Sequence, residues 1–132
     1  MTIPLACILV AWLLVWPPKL VSSHEQRKLA GGYDNRDPRV QRASLSERGR
    51  RAQAAHENTM EVFPAFAAGA IVAHLTGADA TLSAVAAITF CTARALYPWL
   101  YIGGLATLRS TAWTIGALAT LALYALAFVP GG

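Results

Sequence analysis

Read for polarity alone, the chain is a set of long apolar runs with one polar interval. Ile3 to Trp16 holds no charged residue, and Val62 to Ala78 has His74 as its one titratable side chain. Ala80 to Leu108 is interrupted by Arg94 alone, and Ser110 to Gly132 carries no charge. A helix crossing the hydrocarbon layer needs about 20 mostly apolar residues, with about 17 as the lower end. The four runs predict an all-α integral membrane protein, a four-helix bundle forming one domain over 1–132, with helices at approximately 2–18, 58–78, 80–105 and 109–129. The first run is the shortest, and Lys19 can snorkel from its end. It lacks a basic leading segment, and no small-residue cleavage site precedes Trp16-Pro17-Pro18-Lys19, so a retained helix is expected rather than a cleaved signal.

The polar interval 19–57 is expected to be a loop. Ala30-Gly31-Gly32-Tyr33-Asp34-Asn35-Arg36-Asp37-Pro38 is dense in turn formers. Beyond it, Leu45 to Ala55 reads as a helix that starts in water and continues into the second span. Trp12, Trp16, Tyr97, Trp99 and Tyr101 lie near run ends, where amphipathic rings favour the membrane interface.

A hydrophobic content of 55 % and a mean hydropathy of +0.43 exceed what a soluble domain carries. The interval Lys19–Glu57 holds nine of the eleven basic residues against five acidic ones. By the positive-inside rule this basic loop is cytoplasmic, as is the turn near Arg109, and both termini face the other side. Apart from Tyr33 the basic segment has no interleaved aromatics, so anionic lipid headgroups rather than nucleic acid are its expected partner. Cys7 and Cys91 sit in separate apolar runs without a paired spacing and read as small buried apolar residues. No set of His, Cys or carboxylate residues has ligand spacing on a shared face, so no metal site is expected.

The chemistry is concentrated at one membrane depth. Asn58 and Glu61 are three apart and share a helix face; Glu57 points elsewhere, toward water or a basic neighbour. Arg94, Tyr97 and Tyr101 share a face toward the cytoplasmic end of the third helix, and Arg109 and Ser110 open the fourth at the same side. Two guanidinium groups offer forked donors to a carboxylate, Glu61 accepts from an ammonium group, and Asn58 does both. Pro98 leaves the Arg94 carbonyl without its helical donor. Two readings stay open on residue chemistry: a site for a small zwitterionic or anionic ligand, or a packing cluster in which Glu61 and Arg94 form a buried ion pair and Arg109 anchors a helix end.

At these positions the chain resembles a bacterial-type member of the MAPEG family, the membrane-associated proteins of eicosanoid and glutathione metabolism. The resemblance is carried by Ala55-His56-Glu57-Asn58-Thr59-Met60-Glu61 followed by Phe63-Pro64, by Arg94-Ala95-Leu96-Tyr97 with Tyr101, and by Leu108-Arg109-Ser110. It implies a homotrimer that binds glutathione as co-substrate between subunits near the cytoplasmic face. Asn58, Glu61, Arg94, Tyr97, Tyr101 and Ser110 would be the glutathione contacts, and Arg109 would stabilise the thiolate that attacks a small lipophilic substrate from the bilayer. The implied activity is that of a glutathione-dependent transferase or peroxidase. Two positions depart from better-characterised members: Glu57 stands where those tend to have a basic residue, and Tyr97 where some have histidine. A first-helix arginine would have Arg27 or Lys28 as its counterpart. The contrasting expectation is a non-catalytic membrane protein that uses the same cluster for helix packing or lipid binding.

Overall fold

The computed structural model describes residues 1–129. They form α1 (Ile3–Leu13), α2 (Trp16–Arg27), a short α3 (Pro38–Gln41) continued by a 3-10 turn (Arg42–Ser44), α4 (Glu47–Leu75), α5 (Ala80–Ile102) and α6 (Ala106–Leu126). Among the described residues the regular structure is entirely helical, apart from an isolated bridge at Ala78.

Two boundaries differ from the sequence expectation. The first helix does not stop at the Pro17-Pro18 pair. It breaks at Leu14-Val15, and the prolines fall in the first turn of α2, where their missing N–H groups would have no intrahelical partner anyway. The loop expected over 19–57 is consequently helical at its start, with α2 reaching Arg27, while α4 starts at Glu47, within the segment read as a helix from Leu45. That start is capped by Ser46, whose hydroxyl accepts from the Gly49 N–H at 3.1 Å. Only the strap between Arg27 and Glu47 is largely non-helical, and it is fastened down. Gln26, fully buried, donates to the Pro38 carbonyl at 2.9 Å, Gln41 donates to the Gly32 carbonyl at 2.6 Å, and Ser46 donates to Glu25 at 2.8 Å.

Two helices are long and apolar enough to cross a bilayer: Ile3–Arg27, taken through its turn, with mean hydropathy 1.8, and Ala80–Ile102 with 1.3. The four spans expected from the runs are therefore two by this measure. The reason is composition rather than length. At 1.5 Å per residue, α4 is roughly 44 Å long and α6 roughly 32 Å. The first half of α4 carries charge, whereas α6 is diluted by Thr107, Ser110, Thr111, Thr114 and Thr120. Thr111, Thr114 and Thr120 turn their hydroxyls back onto carbonyls four residues earlier, so those groups are satisfied inside the helix.

The core is built from small residues and two rings. Cys7, Ala11, Ala70, Ala73, Ala86, Ala87, Ala119 and Leu123 surround Phe66 and Phe90, whose rings stack with centroids 3.8 Å apart. Alanine lets the backbones approach closely, which is how helices pack where lipid is as apolar as the side chains. Gly69 serves the same end: a Cβ there would lie 3.0 Å from the Tyr124 ring, whose hydroxyl donates to the Ala65 carbonyl at 3.0 Å. Large apolar side chains meanwhile point outward all along the bundle, including Leu9, Leu13, Ile71, Val85, Ile88, Ile115, Leu118 and Leu121. An apolar exterior of this extent belongs in lipid or against other subunits.

Candidate functional site

The first half of α4, the last turns of α5 and the first turns of α6 enclose an open groove of about 450 Å³ at the polar end of the bundle. It is lined by Ala54, Glu57, Asn58 and Glu61 from α4, by Tyr97 and Tyr101 from α5, and by Arg109, Ser110, Trp113 and Thr114 from α6. The volume falls in the range that accommodates a small ligand. Helical spacing explains the lining: Ala54, Asn58 and Glu61 form one stripe, Tyr97 and Tyr101 another, and Ser110, Trp113 and Thr114 a third. Asn58, Glu61, Tyr97, Tyr101, Arg109 and Ser110 thus come together around one space.

Arg94 lies behind the groove wall instead. Its side chain is 1 % exposed, with Nη2 donating to Asn58 Oδ1 at 3.1 Å and to Thr59 Oγ1 at 2.9 Å. The guanidinium also lies over the Tyr97 ring, 4.1 Å from its centroid. The Glu61–Arg94 ion pair that was one alternative is not among the ion pairs of the described residues. Arg94 is solvated by neutral groups, and it orients two of them. The Thr59 hydroxyl sends its proton to the Ala55 carbonyl at 2.8 Å, which leaves a lone pair for Arg94. Asn58 commits its oxygen to Arg94, so its NH₂ is the end left to meet a molecule in the groove. Thr59 was missed in the sequence because it falls next to Asn58, off the stripe that the three-residue spacing selects.

Arg109 differs in setting. It is half-buried, in the first turn of α6, with its guanidinium 4.5 Å from the centroid of the Tyr101 ring. Tyr101 is in turn edge-on to Tyr97, with centroids 5.8 Å apart. Among the described residues Arg109 is in no ion pair, so it faces the groove unpaired although Glu57 and Glu61 line the same space. The start of α6 adds its positive dipole end to the same place.

Glu57 meets a basic neighbour, as its spacing predicted, while also lining the groove. Its Oε1 accepts from Gln53 at 2.7 Å and from Arg42 at 3.4 Å. Gln53 is held by the buried Ser22 hydroxyl at 3.0 Å, which couples the rim to α2. Arg27 and Lys28 do not line the groove; Lys28 pairs with Glu25 at 2.7 Å. His56 is structural, since its Nδ1 donates to the Val15 carbonyl at 3.0 Å and ties α4 to the break between α1 and α2. The Cys91 thiol donates to the Cys7 carbonyl at 3.4 Å, within the core rather than at the groove. Trp113 and Thr114 complete the lining; they follow Arg109 and Ser110 by one helical turn, and that spacing was the signal available for them.

The family model described as MAPEG family matches residues 3–129. No curated protein and no solved structure matches. The match runs from the first residue of α1 to beyond the last of α6, and so takes in every helix that builds the groove. With nearly all of its length fitting one family and two of its helices suited to a bilayer, this membrane protein belongs to the MAPEG family.

Proposed function

We propose that the protein is a membrane-embedded glutathione-dependent transferase or peroxidase acting on lipophilic electrophiles, and that it works as a homotrimer of four-span subunits. In this reading 1–132 is a single domain, the basic interval 19–57 faces the cytoplasm, and both termini face the opposite side. The observation that carries the proposal is the pairing of an ion-pair-free Arg109 with donors and acceptors of the kind a thiol tripeptide needs, around one groove. Family membership supplies the association with glutathione.

The groove fits that co-substrate in its chemistry. Glu61 is placed to accept from an ammonium group, and the Asn58 NH₂ to donate to a carbonyl or carboxylate. Ser110, Tyr97 and Tyr101 add hydroxyls, while Arg94 acts from behind the wall by fixing Asn58. Arg109 stabilises negative charge on sulfur, aided by the α6 dipole, and so raises the thiolate fraction near neutrality. Glutathione supplies the nucleophile. With a carbon electrophile, a C–S bond forms, the bond to the leaving group breaks with its electron pair, and the thiol proton passes to water. In this reading the lipophilic substrate comes from the bilayer, and the exposed apolar exterior of the bundle is what supports that source.

One observation favours the packing reading for part of the cluster: Arg94 is sealed and bonded only to the protein's own groups. The test is glutathione binding to the detergent-purified protein, followed by ultraviolet difference absorbance for bound thiolate. Saturable binding is expected, with a thiolate signal that Arg109→Ala abolishes while the oligomer survives. Absence of binding at millimolar glutathione by an intact oligomer would refute the enzymatic reading, and loss of the oligomer in Arg109→Ala would mark that arginine as structural.

A further inference from the structure

The groove has a charge problem. Its lining holds two carboxylates, Glu57 and Glu61, and a single cation, Arg109. A ligand with its own carboxylates would be repelled by that balance unless further positive charge reaches the rim. Arg42 provides it. The strap brings this residue from fifteen positions away to Glu57, and the contact at 3.4 Å is long for a charge-assisted bond. Only one Arg42 contact to a carboxylate is made, through Nη1. Its Nε is buried out of reach, but Nη2 is neither bonded nor among the buried atoms, so that end of the guanidinium has donors to spare. Lys19, half-buried, lies within the electrostatic influence of both Arg42 and Glu57. Glu57 Oε1 has a second donor in Gln53 at 2.7 Å, so that oxygen stays hydrogen-bonded when Arg42 leaves.

We infer that Arg42 is a carboxylate-binding residue of the groove, and that Glu57 occupies it as an internal competitor until an anionic ligand takes its place. The inference rests on the reading of the groove as a glutathione site and deepens it. The strap, held by Gln26, Gln41 and Ser46, becomes the element that carries this cation to the rim. Glu57, while paired, prevents Arg42 from capturing unrelated anions.

The experiment is calorimetric titration of the purified oligomer with glutathione and with glutathione diethyl ester, whose carboxylates are masked. Four proteins are compared: wild type, Glu57→Gln, Arg42→Ala and the double variant, each checked for an unchanged oligomer, with Arg42→Lys as a charge-retaining control. Glu57→Gln is expected to bind glutathione about three- to fivefold tighter, the scale of a released half-exposed ion pair. Arg42→Ala is expected to bind it about fivefold more weakly, in the Glu57→Gln background as well, with the diester unaffected and Arg42→Lys keeping part of the affinity. If Arg42 merely shields Glu57, its removal will have no effect once Glu57 is neutral, and the inference falls. It also falls if Glu57→Gln binds no tighter. Binding by wild type that is insensitive to Arg42→Ala overturns this inference alone, whereas absence of glutathione binding by wild type overturns the functional reading together with it.

Discussion

The sealed Arg94 makes an unusual prediction about stability. Substituting Thr59→Val keeps the shape of the side chain and removes one of the two acceptors for the Arg94 guanidinium, at 2.9 Å. Nothing else replaces it, because the site is 1 % exposed and Arg94 Nε already lacks a partner. A buried charged donor deprived of an acceptor costs about 1.5–3 kcal/mol. Arg94→Met is the more drastic change on paper and should be the milder one. It loses the bonds to Asn58 and Thr59 and the stacking on Tyr97, but it also removes the desolvated charge, and replacing buried charge by an apolar side chain of similar size is often neutral. The groups left behind are not stranded: Thr59 still donates to the Ala55 carbonyl, and Asn58 opens onto the groove. A net change within about 1 kcal/mol is expected for Arg94→Met. Thermal unfolding of the two detergent-purified variants, followed by circular dichroism, gives the comparison. Thr59→Val should melt several degrees below wild type, and Arg94→Met close to it. Glutathione binding should weaken in Arg94→Met all the same, since the Asn58 amide is then free to turn. An Arg94→Met protein that is markedly less stable than Thr59→Val would refute the account of Arg94 as a cation whose desolvation offsets its bonds.

Two further outcomes follow from the packing. Phe66→Ala removes one of the two rings stacked at the centre of the bundle and should destabilise by about 3–5 kcal/mol, read as a fall in midpoint or loss of the purified oligomer; a loss below 1 kcal/mol would show that neighbouring helices close the cavity. Gln26→Leu removes the two donor bonds that hold the strap, so trypsin should cut at Arg36 or Arg39 faster than in wild type while the far-ultraviolet helix signal stays the same. Equal cleavage rates would mean that Gln41 and Ser46 hold the strap without it.

Much of the architecture was legible because a helix has a fixed pitch and a bilayer a fixed solvent. The uncharged runs located α1, the apolar second half of α4, α5 and α6. The three- and four-residue spacings placed Asn58 with Glu61 and Tyr97 with Tyr101, while Arg109 and Ser110 are chain neighbours in the first turns of α6. The turn formers between Ala30 and Arg39 marked the strap. The helical continuation past Pro17-Pro18 was harder to see, since a proline pair ends one helix and begins the next equally well, and only the break at Leu14-Val15 decides between them.

What spacing cannot determine is which face of one helix meets which face of another. Arg94 shares a stripe with Tyr97 and Tyr101, yet the crossing of α5 over α4 turns it onto Thr59 and Asn58, behind the wall that the tyrosines line. Glu57 and Arg42 are fifteen residues apart, and their meeting depends on the strap being folded back along α2. The sequence by itself determined the solvent, the number of apolar runs and the residues able to share a face, all of which follow from local pitch and transfer free energy. The tertiary structure alone decided which polar groups are sealed, which are paired and which remain open to the groove, because those states depend on contacts between segments that the chain brings together only when it folds.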